Sequence, residues 1–153
     1  MKKLSAAALA AVAVCAVGTA SAQEHWKEGP VWNCSYYQVL PGKWDEYMLY
    51  LRRNTLPLQM AQKKAGLVME YRLFTKEQQD ANDWNIAACT LHPSYGKAMD
   101  FDAAEDAKAD EIAAAHWKTQ DRDAQTRAAA ARFELRKFIG SSMMRQVDLK
   151  PMP

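Results

Sequence analysis

The sequence is sparing with the residues that usually carry metal, redox or nucleophilic chemistry. Of its 153 residues, three are cysteine, three histidine, six glycine and six proline. No HExxH, CxxC or clustered His/Asp spacing occurs, so a structural zinc site has no basis in the sequence. No GxSxG, P-loop or GxGxxG occurs either, which removes the nucleophile elbow and the glycine-rich phosphate cradles. Charge excess is also missing. Twenty basic residues face 18 acidic ones, a formal charge of +2. That balance argues against a strongly basic nucleic-acid binder, and an apolar share of 49% argues against a disordered acidic tail.

The one long apolar run stands at the start. Lys2 and Lys3 precede the Ala/Val/Leu stretch Leu4 to Val17, and Ala20-Ser21-Ala22 forms a small-x-small cleavage site. Residues 1–22 therefore read as a secretory signal peptide, too short for a membrane anchor. Val14 before Cys15 does not favour a lipoprotein. The only charges in this segment are its two lysines, so residues 23–153 carry 18 charges of each sign and are neutral. The expectation is an exported, periplasmic or secreted protein with no polyanion partner and no later membrane span. It retains two cysteines, Cys34 and Cys89, in an oxidising compartment. Residues 23–153 suit a single domain with one modest core.

What is present is punctuation and pattern. Val31–Leu40, between Gly29-Pro30 and Pro41-Gly42, is short and rich in aromatic and β-branched residues, and predicts a strand. Trp44, Tyr47, Met48 and Leu51 then fall on one helical face. Pro57 predicts a break or kink, with Thr55 capping the second piece, and Lys63, Lys64 and Gly66 predict its end. Leu67–Thr75 alternates as a second strand, and Asp83–Leu91 predicts a third. Ser94 is placed to cap a helix. The Ala-rich region 95–139 predicts helix, broken near Phe101 and near Thr119–Asp123 and stopped by Gly140. Ser142–Leu149 predicts the last strand.

The order β-α-β-β-α-β predicts an α+β, ferredoxin-like sandwich: a four-stranded antiparallel sheet, ordered 4-1-3-2, with helices on one face. Every strand carries apolar residues on both faces. Trp32 and Tyr36 oppose Tyr37 and Val39, and Trp84 and Ile86 oppose Cys89 and Leu91. A sheet apolar on both sides predicts a homodimer that stacks two sheets.

Tyr37-x-Val39-x-Pro41-Gly42-Lys43 followed by Asp45-Glu46-Tyr47 resembles the strand-to-helix turn of the dimeric α/β-barrel superfamily. Lys64-Ala65-Gly66, Asp83-Trp84 and Arg132-x-x-Leu135-Arg136-x-x-Ile139-Gly140 before Met144-Arg145 fit the same resemblance. The superfamily includes antibiotic-biosynthesis-type monooxygenases and the NIPSNAP-like and EthD-like groups. The resemblance implies two sheets paired into a barrel and a pocket in each subunit between sheet and helices. Haem-degrading relatives use an Asn on the first strand, a Trp on the third and a His opening the second helical region. That analogy would give Asn33, Trp84 and His92 to haem. Without it, no cofactor is predicted.

Two readings of the cysteines stand. With strands one and three taken as parallel neighbours ~4.8 Å apart, Cys34 and Cys89 can bond. They can also be packed thiols, because register can turn them to opposite faces. The aromatic set is either core and dimer interface or a pocket for a flat hydrophobic molecule. The pocket reading takes Asn33, Tyr36, Tyr71, Arg72, Trp84 and His92 as its candidates. If cleavage follows Ala22, Gln23-Glu24-His25 presents an amine, two amides and an imidazole, a nitrogen set suited to copper or nickel. Arg127, Arg132, Arg136 and Lys137 read as a solvated helix end, where positive charge suits the dipole.

Overall fold

A computed structural model describes residues 25–152. The signal-peptide reading, and the Gln23 and Glu24 of the nitrogen set, lie outside these residues. β1 spans Trp26–Val39, longer than the sequence predicts. It runs through Gly29-Pro30 by means of a register shift against the last strand between Glu28 and Val31. Proline has no N–H to give a ladder, and a bulge is where a strand tolerates it. Leu40-Pro41-Gly42-Lys43 then closes a turn, with the Lys43 amide donating to the Leu40 carbonyl at 3.0 Å. Gly42 takes the positive φ, +73°, that proline-initiated turns of this kind demand.

The next segment is one continuous helical run rather than two pieces. α1 (Trp44–Tyr50) passes through a π-helical segment (Leu51–Thr55) into α2 (Leu56–Lys64). Thr55 is helical and makes no capping bond, contrary to the sequence reading. Instead the Leu56 amide donates to the Leu51 carbonyl, a widened turn immediately before Pro57. The wide turn removes the crowding that a proline ring meets in a regular helix. Gly66, at φ +78°, ends the run as predicted.

β2 (Glu70–Thr75) and β3 (Ile86–His92) follow. The Ser94 side chain caps α3 (Tyr95–Met99), accepting from the Lys97 amide. α4 (Ala103–Trp117) and α5 (Arg122–Ala130) are separated where the composition predicted breaks. Asp102 and Asp121 cap them. The last helix does not reach Gly140. A 3₁₀ turn (Ala131–Glu134) ends it, and β4 spans Arg136–Leu149. Gly140 lies inside β4, opposite Tyr36, beside a bulge that leaves Ile139 without a partner. A glycine at a bulge marks a bend in a strand, not its end.

The sheet order is β2-β3-β1-β4, the predicted 4-1-3-2 arrangement. All three pairings are antiparallel. The parallel relation assumed for strands one and three is therefore corrected. Each crossover returns the chain parallel to the strand it left, and the strand inserted between such a pair runs the other way.

Register sorts the side chains. Trp32, Cys34 and Tyr36 pair with Leu91, Cys89 and Ala87, all on the face away from the helices. Trp84 joins them by packing on Tyr36. Ile86 does not share that face. It sits in the helix-side core with Val39, Tyr47, Leu51 and Leu135, so the predicted pairing of Trp84 with Ile86 fails. β3 begins at Ile86, and Trp84 precedes it, outside the strand whose alternation the sequence reading extended to it. Apolar clusters lie on both faces of the sheet, as the sequence predicted, and the helices cover only one.

Cys34 and Cys89 are directly opposed, with Cα atoms 4.1 Å apart, and form a disulfide that joins the two central strands. It closes a span of 55 residues. Breaking such a loop constraint costs about 2–4 kcal/mol. Urea unfolding of the oxidised protein should give a higher midpoint, and an unfolding free energy larger by that amount, than the Cys34→Ala/Cys89→Ala variant. Alkylation before reduction should label neither cysteine.

Candidate functional site

The helix-side face of the sheet is unusual at its centre. A core surface normally presents large apolar side chains there. β1 presents Asn33 and Ser35, and β3 presents Ala88 and Thr90. These short side chains leave a cleft of about 250 Å³ between sheet and helices. Leu51, Thr55 and Gln59 form its helical wall, one residue every four along the run that contains the wide turn. Tyr37 and Tyr71 close its ends on the sheet side, and Arg132 and Arg136 reach in from the 3₁₀ turn and the start of β4.

Arg136 is the best-held group in the cleft. Its guanidinium lies 3.3 Å from the centre of the Tyr37 ring and donates to the Tyr47 hydroxyl. Tyr47 is 1% exposed, so this bond fixes the arginine to the core. Burial pushes the Tyr47 phenol up to about 12, while Arg136 pulls it back. Burial likewise raises Tyr71, with Tyr47 adding to the effect, so both stay protonated donors at neutral pH. The Tyr71 hydroxyl, Gln59 Oε1 and the Nε atoms of Arg132 and Arg136 are buried without hydrogen-bond partners. Buried polar atoms in folded proteins are seldom left so.

The six candidate residues do not form one pocket. Asn33 and Tyr71 line the cleft. Tyr36 and Trp84 stand on the opposite face, with ring centres 5.1 Å apart. Together with Trp32, Phe74 and Met144 they border a shallow apolar hollow over the disulfide. Asp83 anchors this corner. Its carboxylate accepts from Lys76 Nζ at 2.6 and 2.7 Å and from the Trp84 amide at 2.9 Å. The Lys76 bond is the main cause that holds its pKa below the usual carboxylate range. Arg72 is exposed on the outer face and pairs with Glu70 at 2.9 Å. His92 is on the helix side but opens onto a separate groove beside Val68, Lys97 and Glu105. Its Nε2 is 3.1 Å from Thr90 Oγ1. Burial lowers its pKa, against Glu105, so the ring is neutral at neutral pH.

Asn33, Trp84 and His92 therefore occupy three places, two on one face and one on the other. The donor set of the haem analogy is not assembled, and the residues do not fit that group. Among the described residues, no three His, Cys, Asp or Glu side chains group to hold a metal ion. His25 begins the described chain, where its carbonyl accepts from the Lys150 amide at 2.8 Å.

Sequence reasoning missed the two arginines. Read as the solvated end of a helix, Arg132 and Arg136 instead face the cleft. No local signal placed them: the bulge at Ile139 puts Phe138 and Arg136 opposite Tyr37 and Val39, on the other face from Gly140 and Ser142, so alternation counted back from Ser142 would have turned Arg136 away from the helices. No protein-family model matches the chain, and no curated protein gives a significant match.

The raised Tyr47 pKa sets an alkaline limit on stability. An unfolded tyrosine ionises near ~10. The contribution is complete below that pH and is lost as pH rises toward the folded value of about 12. Urea midpoints followed into alkali should fall through this window. Tyr47→Phe should be less stable at neutral pH by about 1–2 kcal/mol, because Arg136 loses its acceptor, but should fall less steeply.

Proposed function

We propose that the protein is an exported binding protein for a small aromatic molecule, held in the cleft between sheet and helices. We also propose that it acts as a homodimer of the dimeric α/β-barrel, ferredoxin-like type. The observation that carries the binding reading is the cleft floor. Asn33, Ser35, Ala88 and Thr90 leave space at the centre of the layer contact, where packing would otherwise stabilise the fold. Small-molecule sites are concave, with apolar walls and a few convergent polar groups. Leu51 and the Tyr37 and Tyr71 rings supply the apolar part of the walls, and Thr55, Gln59 and the unpartnered donors supply the polar groups.

Binding suits this cleft better than proton-transfer catalysis. It offers donors and positive charge, and its lining includes no carboxylate or imidazole to act as a base. Export is supported by the leader pattern, by the disulfide, and by the lack of a described helix long and apolar enough to cross a membrane. The dimer is supported by the outer sheet face, where Phe74 is 49% exposed and Met144 46%. They border the same apolar hollow as Trp32 and Trp84. A second copy offers the matching apolar sheet, and stacking two would remove both from water.

Native mass spectrometry of the oxidised protein from its host tests both parts. A dimer carrying added ligand mass is expected. Phe74→Asp/Met144→Asp should give monomer, and Ala88→Phe, which fills the cleft floor, should lose the added mass. A wild-type monomer at every concentration would end the dimer reading. Ligand retained by Ala88→Phe would end the cleft reading.

A further inference from the structure

We infer that the cleft takes the carboxylate of a small aromatic acid, with Arg132 and Arg136 as the anion-holding pair. This inference rests on the cleft being the ligand site, as proposed above. Both guanidiniums line the same cavity. No carboxylate of the described residues stands within ion-pairing distance of either. The other arginines that pair with acids do so on the surface, at Arg72, Arg122 and Arg127, or with Glu28, at Arg145. Two half-buried cations with no counter-charge are an arrangement that an anion relieves.

The chemistry favours a planar anion. A guanidinium presents a rigid fork of N–H donors that matches the two oxygens of a carboxylate. Arg136 is already oriented by the Tyr37 ring and the Tyr47 hydroxyl, so little side-chain freedom remains to be lost on binding. The Tyr71 hydroxyl, protonated and unpartnered, is a further donor to the same anion. Gln59 Oε1, also unpartnered, is an acceptor on the helical wall that a ring hydroxyl of the ligand would satisfy. Leu51, Ala88 and the Tyr37 and Tyr71 rings give an aromatic body apolar contacts beside these polar groups, which a free inorganic ion would not use.

The test is amide chemical-shift titration of the oxidised full mature chain with benzoate, benzamide and inorganic phosphate at matched ionic strength. Benzoate is expected to shift Asn33, Ser35, Ala88 and Thr90. It should bind roughly tenfold or more tightly than benzamide, the measure of charge-assisted hydrogen bonds. Among the described residues the Arg132 side chain makes no hydrogen bond, and the Leu135 amide bonds only its backbone carbonyl, so Arg132→Gln should fold normally by circular dichroism and lose the preference for benzoate over benzamide. Arg136→Lys keeps the charge and loses the fork, and should weaken that preference. Equal binding of benzoate and benzamide at the cleft would overturn the anion inference while leaving the cleft reading intact. So would a preference that survives in Arg132→Gln and Arg136→Lys alike. Phosphate binding as tightly as benzoate would overturn the aromatic-acid assignment. No cleft shift with any of the three would overturn both the inference and the reading beneath it.

Discussion

The period-two alternation of β1 is the constraint on which the rest of the structure depends. β1 lies inside the sheet, paired with β3 on one side and β4 on the other. Its even-numbered residues Trp32, Cys34 and Tyr36 point away from the helices, and its odd-numbered residues Asn33, Ser35, Tyr37 and Val39 point toward them. A slip of one residue would exchange the two sets and place Trp32 and Tyr36 under the helices. It would also move Cys34 away from Cys89. The disulfide therefore fixes the same register that the apolar pattern selects, and the cleft and the outer face are two consequences of that register.

α3 packs on β1 and β3, and a helix-side core forms at the end where β1 finishes. Val39, Tyr47, Leu51, Ile86 and Leu135 form a tight cluster there. The Leu40 amide bonds the Leu135 carbonyl at 3.0 Å, and the Tyr50 hydroxyl reaches the Ala129 carbonyl at 3.2 Å. These contacts hold the first helical run against the segment that leads into β4. Arg136 sits at the edge of this cluster, with one end in the core and the other in the cleft. The core thus provides rigid support for a charged group, which is the condition under which a binding side chain keeps its geometry.

Much of the architecture was legible because it depends on local signals. Gly66, Ser94 and the breaks around Phe101 and Thr119 act within one turn, so their positions follow from residue type. Element order then limits the topology, and the 4-1-3-2 sheet follows. What was not legible depends on longer-range geometry. The relative direction of β1 and β3 is a property of two crossovers. Pro57 ends a helix only if the backbone cannot widen before it, and here it widens at Leu51–Thr55. Gly140 reads as a stop because its bulge is visible only beside Tyr36 on another strand. The site was half legible for the same reason. Asn33 and Tyr71 were named from their strands, whereas Arg132 and Arg136 were assigned to a helix that stops before them. The aromatic residues that drew attention, Tyr36 and Trp84, belong to the opposite face.

The two faces are coupled through the strands they share. Asn33 and Ser35 flank Cys34, and Ala88 and Thr90 flank Cys89, so the cleft floor is the reverse side of the disulfide. Small side chains on that floor contribute little packing to hold β1 against β3 on the helix side. The bond and the aromatic cover of Trp32, Tyr36 and Trp84 supply that restraint from the other side. A floor built of small residues can then stay open without loosening the central pair of strands. Burial of the outer face by a second sheet would add to the same restraint, because the residues it covers flank the bond. In this way the oxidised, apolar side of the sheet preorganises the polar side, and the stability forgone at the cleft is recovered across the thickness of a single sheet.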